Sequence, residues 1–379
     1  MAPLRAPSYS RPMTAPMTDK PHTALRRGWT TGACATAATK AALTALWSGA
    51  FPEAVSIALP GGQTPQFRVE TMAKGPGWAQ AGIVKDAGDD PDVTHGALIC
   101  VRVAQSLPDP SSGRTSEGVS FVAGEGVGTV TRPGLPIAVG EAAINPVPRQ
   151  MMRAVVAELA AETGRSGDVT LTVSIPGGQA LAAKTWNPRL GIVGGLSILG
   201  TTGIVRPFSC AAWIASIHRG IDVARAAGLG HVAACTGATS EKAVQTLYAL
   251  PDHAMLDMGD FAGGVLKYLR RHPVARLTLG GGIGKLTKLA QGALDLHSAR
   301  SQVDFAALGA LARAQGLADV TKAHTALEAF DLAGDGLAAA LAEAARQKAD
   351  DMLAKSGCIV DVVMVDRSGK IIARAGPTE

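Results

Sequence analysis

The sequence lacks the patterns that define several large classes of protein. Its five cysteines are scattered, odd in number and never spaced as Cys-x-x-Cys, and its eight histidines form neither His-x-His nor His-Glu-x-x-His. This usage predicts no disulfide framework and no protein-bound metal, and it is typical of a reducing, cytoplasmic compartment. No apolar run reaches the roughly 18 residues of a membrane span, and the stretch Phe208–Ile217 stops at His218 and Arg219. No membrane association is predicted.

Aromatic residues and charged residues are also scarce. Aromatics make up 4% of the 379 residues, charged residues 18%, and the formal net charge is only +5. A protein that binds nucleic acid is expected to carry a dense basic stripe with aromatics for base stacking, so no nucleic-acid partner is predicted. Apolar residues, in contrast, reach 47%, which predicts a substantial buried core.

The chain divides into two parts by the rhythm of its predicted elements. Residues 25–207 mix antiparallel strands with helices, which is typical of an α+β domain. A long helix from residue 208 leads into three strands, 232–235, 254–258 and 275–279, each followed by a helix, and a hairpin ends the chain. These units predict a second, α/β domain with a parallel sheet over 208–379. The proline-rich residues 1–24 are predicted to form a disordered tail.

The tetrapeptide Pro-Gly-Gly-Gln follows a predicted strand twice, at residues 60–63 and 176–179. A second strand is predicted after each copy, so the arrangement of strand, turn and strand occurs twice. It indicates either an internal duplication or two turns of similar chemistry.

The segment around residue 30 contains a helix start built from small residues. Thr30 or Thr31 can cap the helix, and Gly32 and Ala33 leave its first N–H groups accessible. A helix end of this kind attracts a carboxylate or a phosphate, because its free N–H groups and dipole are positive. The alternative is a capped helix that binds no ligand.

Four aspartates, Asp86, Asp89, Asp90 and Asp92, crowd one short loop. Crowded carboxylates repel one another unless they find donors, cations or solvent, and one of them can have a raised pKa. We expect Asp86 or Asp90 to act as a general base, and Asp92, which follows a proline, to stabilise the turn. The alternative is a turn in which all four aspartates only accept hydrogen bonds from the loop backbone.

Ligands of open parallel sheets bind beyond the carboxyl ends of the strands. Glycines or aspartates follow each of the three predicted strands there, at 236–237, 257–260 and 280–282. Glycines allow a ligand to approach the backbone, although they can equally serve only to form tight turns. Gly284 and Lys285 do not complete a nucleotide-binding loop, because Leu279 and Leu286 replace its first glycine and its magnesium-binding hydroxyl. A phosphate-hydrolysing enzyme is therefore not expected.

Four stretches, in this order and spacing, resemble one known family: Leu25–Ala42, Lys85–Gly96, Asn187–Ser209 and Leu277–His297. They are similar to the CbiD family, the cobalt-precorrin-5B C1-methyltransferases of cobalamin biosynthesis, and the resemblance extends over about Leu25–Ala375. It implies an α+β domain resembling ribosomal S5 domain 2, followed by a Rossmann-like α/β domain. It also implies that S-adenosylmethionine donates a methyl group to ring carbon C1 of a cobalt corrinoid.

With the resemblance, each motif receives an expected role. The candidate cofactor contacts are at the strand ends: Gly237, Asp257, Asp260, Gly280, Gly281 and Gly282. The candidate substrate-binding residues are Arg27, Thr30, Thr31, Gly32, Thr201, Thr202, Lys285 and His297. The candidate catalytic bases are Asp86 and Asp90.

The region around His297 departs from the family pattern, since Asp-Leu-His-Ser replaces the usual Asn-Thr-His-Ser. The departure points to a difference in substrate detail or subclass at that edge. Two alternatives to a methyltransferase stay open: a corrinoid-binding protein without catalysis, and an RNA-binding module. Equilibrium binding of S-adenosylmethionine distinguishes a methyltransferase from both alternatives. The sequence makes no prediction about oligomeric state.

Overall fold

The computed structural model describes residues 25–105 and 118–377. The predicted disordered tail at 1–24 lies outside these ranges. Within them, none of the helices has the length and apolar character needed to cross a membrane.

The N-terminal part of the described chain contains short strands and two long helices. Its elements are β1 Gly28–Trp29, α1 Thr31–Ser48, β2 Ala54–Ser56, β3 Gln66–Arg68, β4 Thr71–Gly75, β5 Trp78–Val84, β6 Leu98–Gln105, β7 Val119–Ala123, β8 Thr129–Val130, α2 Pro146–Thr163, β9 Val169–Ser174, α3 Gly178–Ala182, β10 Ile192–Val193 and β11 Ile204–Val205.

A five-stranded sheet in the order β4-β5-β6-β9-β7 organises this part. All neighbouring strands are antiparallel except β7 and β9. The two long helices, α1 and α2, pack against each other and share one hydrophobic core with the sheet. Alanine supplies much of the buried surface of α1, and its small side chain lets the helix approach both the sheet and α2 closely.

The C-terminal part alternates strands and helices. Its elements are α4 Cys210–Ala226, β12 His231–Cys235, α5 Ala238–Tyr248, β13 Met255–Asp257, α6 Ala262–Leu269, β14 Arg276–Gly282, α7 Ile283–Ala290, α8 Phe305–Ala314, α9 Ala326–Ala333, α10 Asp335–Leu353, β15 Ile359–Val365 and β16 Ile371–Ala375.

These strands form a second five-stranded sheet in the order β13-β12-β14-β15-β16. The first four are parallel, and β16 returns antiparallel to β15. Residues of α5 pack on one face of the sheet, and α4, α6, α7 and α10 contribute to a larger core on the other. The parallel sheet and the C-terminal hairpin expected from the sequence are confirmed, and the described chain is a mixed α/β structure.

Several expectations about individual elements are corrected. The second Pro-Gly-Gly-Gln leads into the short helix α3, and β9 lies inside the sheet between β6 and β7, so the two copies do not form equivalent hairpins. Gly280, Gly281 and Gly282 belong to β14 itself, which is longer than its apolar run indicated. The helices α8 and α9 were not expected.

The start of α1 gives a stability prediction. Thr30 Oγ1 accepts a hydrogen bond from the Ala33 N–H at 3.2 Å, which makes Thr30 the N-cap of a buried helix. We expect Thr30→Ala to lower the free energy of unfolding by about 1 kcal/mol, whereas Thr30→Ser, which keeps the oxygen, retains most of it. Urea unfolding of both variants checks this, and equal stability of the alanine and serine variants would contradict it.

Candidate functional site

The first turn of α1 is filled by the protein itself. The Gly32 N–H donates to the Leu199 carbonyl at 2.9 Å, and the Thr31 hydroxyl accepts from the Leu199 N–H at 3.0 Å. A β-carbon at Gly32 would lie 2.7 Å from Pro148 Cγ, so close packing accounts for this glycine. Thr30 and Thr31 are both buried. The prediction of a helix end open to a ligand is therefore wrong, because other groups of the protein accept from its N–H donors and fill the space in front of it.

The loop 200–203 packs against the same turn. A β-carbon at Gly200, where φ is +134°, would lie 2.2 Å from Thr30 Oγ1, and the Gly203 carbonyl accepts from the Thr30 N–H at 3.0 Å. Thr201 and Thr202 stay exposed. The Thr202 hydroxyl hydrogen-bonds within the loop to the backbone of Ile204. The glycines thus hold the loop against α1, and Thr201 and Thr202 lie at its surface.

The acidic loop joins the N-terminal segment through Asp86 and Asp89. The Asp86 carboxylate is paired with both terminal nitrogens of Arg26, one of them at 3.0 Å. The Arg26 guanidinium and the Gly88 N–H lower the pKa of Asp86 to about 2. Asp89 accepts from the Arg26 backbone N–H at 2.6 Å. Asp86 is therefore a poor proton acceptor near neutral pH, and its geometry is that of an ion pair.

Asp92 neutralises a buried lysine. Lys85 is 1% exposed, and its Nζ lies 2.6 Å from Asp92 Oδ2, while Asp92 Oδ1 accepts from both the N–H and the hydroxyl of Thr94. Burial alone would raise the pKa of Asp92, but the Lys85 ammonium and these donors outweigh it, so the pKa is lowered. The structural role expected for Asp92 fits this arrangement.

Asp90 connects the acidic loop to the entrance of the C-terminal part. Its Oδ1 accepts from the Phe208 N–H at 2.8 Å, two residues before α4 begins. Burial raises the pKa of Asp90, although the Phe208 N–H acts in the opposite direction. Phe208 has φ of +54° and is 55% exposed, a strained backbone for a residue with a bulky side chain. Of the two candidate bases, Asp90 has the more suitable electrostatic environment.

The glycines at the strand ends fall into two groups. A β-carbon added to Gly280 would lie 2.7 Å from Cys235 Sγ, and one added to Gly281 would lie 3.0 Å from Thr236. Close packing therefore explains both glycines. At Gly237 and Gly284 it would meet no atom within 4 Å, and at Gly282 only the Val365 carbonyl at 3.8 Å. The backbone of none of these three requires glycine, since Gly237 and Gly282 are extended and Gly284 is helical. They border open space at the carboxyl ends of β12 and β14.

The end of β13 completes this edge of the sheet. Asp257 pairs with Cys235 in register, and its carbonyl accepts from Trp213 Nε1 at 2.9 Å, which ties α4 to the strand ends. Asp260 and Lys285, expected to contact different ligands, instead lie 3.0 Å apart as an ion pair. The Lys285 ammonium also donates to the Thr236 carbonyl at 3.1 Å.

His297 lies beside the same edge. Its Nδ1 accepts from the Ala299 N–H at 3.1 Å, and the neighbouring Leu296 N–H donates to the Asp260 carbonyl at 2.8 Å. The ring is half-buried and shapes the turn after α7. In the part of the chain that the structure describes, no group of three or more His, Cys, Asp or Glu side chains forms a metal site.

Arg189 makes contacts near the candidate site that the sequence did not predict. Its guanidinium lies over the Trp186 ring at 4.4 Å and reaches Glu241 in the first turn of α5 at 2.5 Å. The segment 186–190 thereby approaches the strand ends from the N-terminal part. The only available signal was its place in the Asn187–Ser209 stretch, because an arginine and a glutamate 52 residues further along the chain form no local pattern.

The buried ion pair gives a pH-dependent prediction. Asp92→Asn leaves the Lys85 ammonium buried without a counterion, and we expect a loss of about 3 kcal/mol of stability near neutral pH. The folded-state pKa of Asp92 is lowered, so the stability it contributes is present above the ordinary aspartate pKa and is lost as the pH falls below it. Urea unfolding at several pH values should show wild type and variant converging in acid. Asp89→Asn, an exposed neighbour, is the control, and an equal loss in it would contradict the prediction.

Two comparisons by sequence place the chain among known proteins. The family model described as CbiD matches residues 18–207, and that described as the CbiD C-terminal domain matches residues 295–376. A protein of Brucella anthropi named cobalt-precorrin-5B C(1)-methyltransferase is 60% identical over 358 residues, covering 92% of this chain and 95% of the relative. A Brucella canis protein of the same name is 58% identical over 370 residues, 95% of this chain and 99% of the relative.

A comparison by structure adds one crystal structure, the cobalamin biosynthesis protein CbiD of Archaeoglobus fulgidus. It is 27% identical, covers 73% of this chain and 83% of the other, and superposes with a TM-score of 0.39. The matches of both family models and the identity of the Brucella relatives over nearly their full lengths lead to one conclusion: the chain belongs to the CbiD family.

Proposed function

We propose that this protein is a cobalt-precorrin-5B C1-methyltransferase that uses S-adenosylmethionine in cobalamin biosynthesis and produces cobalt-precorrin-6A. The observation that carries the proposal is the identity of 58% or more, over nearly the whole chain, to relatives that bear this name. A cytoplasmic location belongs to the same proposal.

The proposal includes two domains, an S5 domain 2-like domain over 25–207 and a Rossmann-like domain over 208–379. The separate hydrophobic cores of the two parts support this division. In the second sheet, the chain passes from β12 outwards to β13 and then across to β14 on the other side of β12. Such a reversal creates a crevice between the carboxyl ends of the two inner strands, which is the usual ligand site in open α/β sheets.

S-adenosylmethionine fits this crevice. Gly237 lies two residues after β12, Gly282 ends β14, and Gly284 follows in the first turn of α7, each with the open space that a side chain would fill. Asp257 and Asp260 lie at the end of the neighbouring strand, where a carboxylate can accept hydrogen bonds from ribose hydroxyls. When bound, the cofactor supplies an electrophilic methyl group on a sulfonium. Gly280 and Gly281 support the site by letting β14 pack against Cys235 and Thr236.

The protein's part in this chemistry is mainly positioning. Methyl transfer is an in-line displacement, and holding donor and acceptor collinear in a dry site supplies much of the rate without a nucleophilic side chain. The Asp90 carboxylate, held by the Phe208 N–H at the junction of the two parts, is the base we assign to proton removal from the ring substrate. Asp86 instead holds Arg26 and the N-terminal segment in place.

The open glycines give the first test of the cofactor site. We expect Gly237→Ala and Gly282→Val to weaken S-adenosylmethionine binding at least tenfold with little change in melting temperature, because a β-carbon at either position fills ligand space and meets no protein atom closer than 3.8 Å. Isothermal titration calorimetry and thermal unfolding measure the two effects.

Gly230→Ala is the matched control for these variants. Gly230 lies at the amino end of β12, and its β-carbon would be 3.8 Å from Ala275, with room to spare. Binding should be unchanged in this variant. If both crevice variants bind S-adenosylmethionine with wild-type affinity, the cofactor site does not lie at these strand ends. If the wild type itself binds no S-adenosylmethionine, a non-catalytic corrinoid-binding protein is favoured.

The assignment of Asp90 gives a second test. Asp90→Asn keeps an acceptor for the Phe208 N–H but cannot take a proton, so we expect kcat to fall about a hundredfold or more with corrinoid KM nearly unchanged. In the wild type, activity should rise with pH through the raised pKa of Asp90, and this limb should vanish in the variant. Mass analysis of the methylated ring measures turnover. Asp86→Asn serves for comparison, and an equal fall in its kcat would contradict the assignment.

A further inference from the structure

Two exposed arginines lie next to each other where β1 pairs with β11. In this antiparallel ladder Gly28 is opposite Val205, so Arg27, which precedes Gly28, and Arg206, which follows Val205, occupy the next pair of positions. Both are exposed, and among the described residues neither makes a hydrogen bond, an ion pair or a stacking contact with an aromatic ring. Like charges at facing positions of neighbouring strands repel each other. Within the described residues, the ladder therefore places two cations at facing positions without a counterion.

The acidic loop does not supply that counterion, although it lies beside them. Gly88, in a left-handed conformation with φ of +68°, packs against the backbone of Arg27. Yet Asp86 and Asp89 bind Arg26, while Asp90 binds the Phe208 N–H. Asp92, the fourth carboxylate, binds Lys85. Every carboxylate of the loop has another partner, so in the part of the chain that the structure describes the two guanidinium groups stay available to an external anion.

Exposed apolar side chains come from the same few segments. Leu199 is 52% exposed, and its backbone is hydrogen-bonded to the first turn of α1. Only Thr30 separates this helix from strand β1 of the ladder. Phe208, 55% exposed, is two residues from Arg206. In a chain with 4% aromatics, an exposed phenylalanine held in a strained backbone is notable. Exposed apolar side chains in the same segments as a pair of cations fit a large, flat, mostly apolar ring that carries carboxylates at its edge.

We propose that Arg27 and Arg206 jointly bind a side-chain carboxylate of the corrinoid substrate, with Leu199 and Phe208 contacting the ring. The proposal rests on the proposed function and adds the residues that select an acidic corrinoid. A guanidinium presents paired N–H donors in the plane of a carboxylate, and a bound anion removes the repulsion between the two arginines. Arg27 was a candidate from the sequence, whereas Arg206 emerges only from the ladder.

The test compares two stable corrinoids as probes: cobyrinic acid, whose side chains are free carboxylates, and cobinamide, whose side chains are amides. Visible absorption titration gives the Kd of each. We expect the wild type to prefer the acid, and Arg27→Gln and Arg206→Gln each to weaken acid binding about tenfold while leaving cobinamide binding unchanged. The double variant should no longer discriminate. Leu199→Ala should weaken the binding of both probes equally.

The controls separate this proposal from the function on which it rests. Arg165→Gln removes the same charge from the exposed loop after α2 and should leave both Kd values unchanged, and S-adenosylmethionine affinity should be unchanged in every variant. If the wild type prefers the acid and the double variant keeps the same preference, the proposed role of the two arginines is overturned and the proposed function is not. A wild type that binds neither corrinoid overturns the proposed function, and this proposal with it.

Discussion

The ion pair between Lys85 and Asp92 is the constraint on which the geometry of the candidate site depends. An ammonium that is 1% exposed cannot lose its counterion without a large desolvation penalty, so the loop that carries Asp92 has little freedom to move. From this fixed loop, the Asp86 carbonyl accepts the Trp29 N–H at 2.7 Å and the Asp90 carboxylate accepts the Phe208 N–H. One buried charge pair thereby positions both the start of α1 and the entry into α4.

Close backbone approach is the second constraint, and small residues make it possible. Gly88 and Gly32 lie where any β-carbon would overlap the Arg26 carbonyl or the Pro148 ring. The alanines of α1 let the helix pack closely on the sheet, and at its first turn the Leu199 carbonyl takes up the Gly32 N–H that a ligand would otherwise find. The segments that resemble the CbiD family most therefore owe much of their composition to packing. The two arginines proposed to bind the substrate, Arg27 and Arg206, lie near the edges of these segments.

The two parts of the chain meet around the crevice of the parallel sheet. Arg189 reaches Glu241 on one side, and Trp213 reaches the Asp257 carbonyl on the other. Both contacts hold elements of the first part or the connecting helix close to the strand ends where Gly237 and Gly282 leave open space. Such a junction suits a reaction that needs two substrates aligned and shielded from water. A reaction of this kind requires no nucleophilic side chain.

The sequence by itself determined the parallel sheet, the C-terminal hairpin, a capped helix starting at Thr30 or Thr31 and the family, because each leaves a local pattern of hydrophobic period, turn residues or consecutive motif residues. It could not distinguish Gly281, which packs on Thr236, from Gly282, which borders open space, since both stand in one run of glycines. Nor could it separate Asp86 from Asp90, whose opposite pKa shifts come from Arg26 and from burial. The adjacency of Arg27 and Arg206 was likewise decided only by the tertiary structure, because a contact between segments far apart in the chain depends on strand register, which no short stretch of sequence encodes.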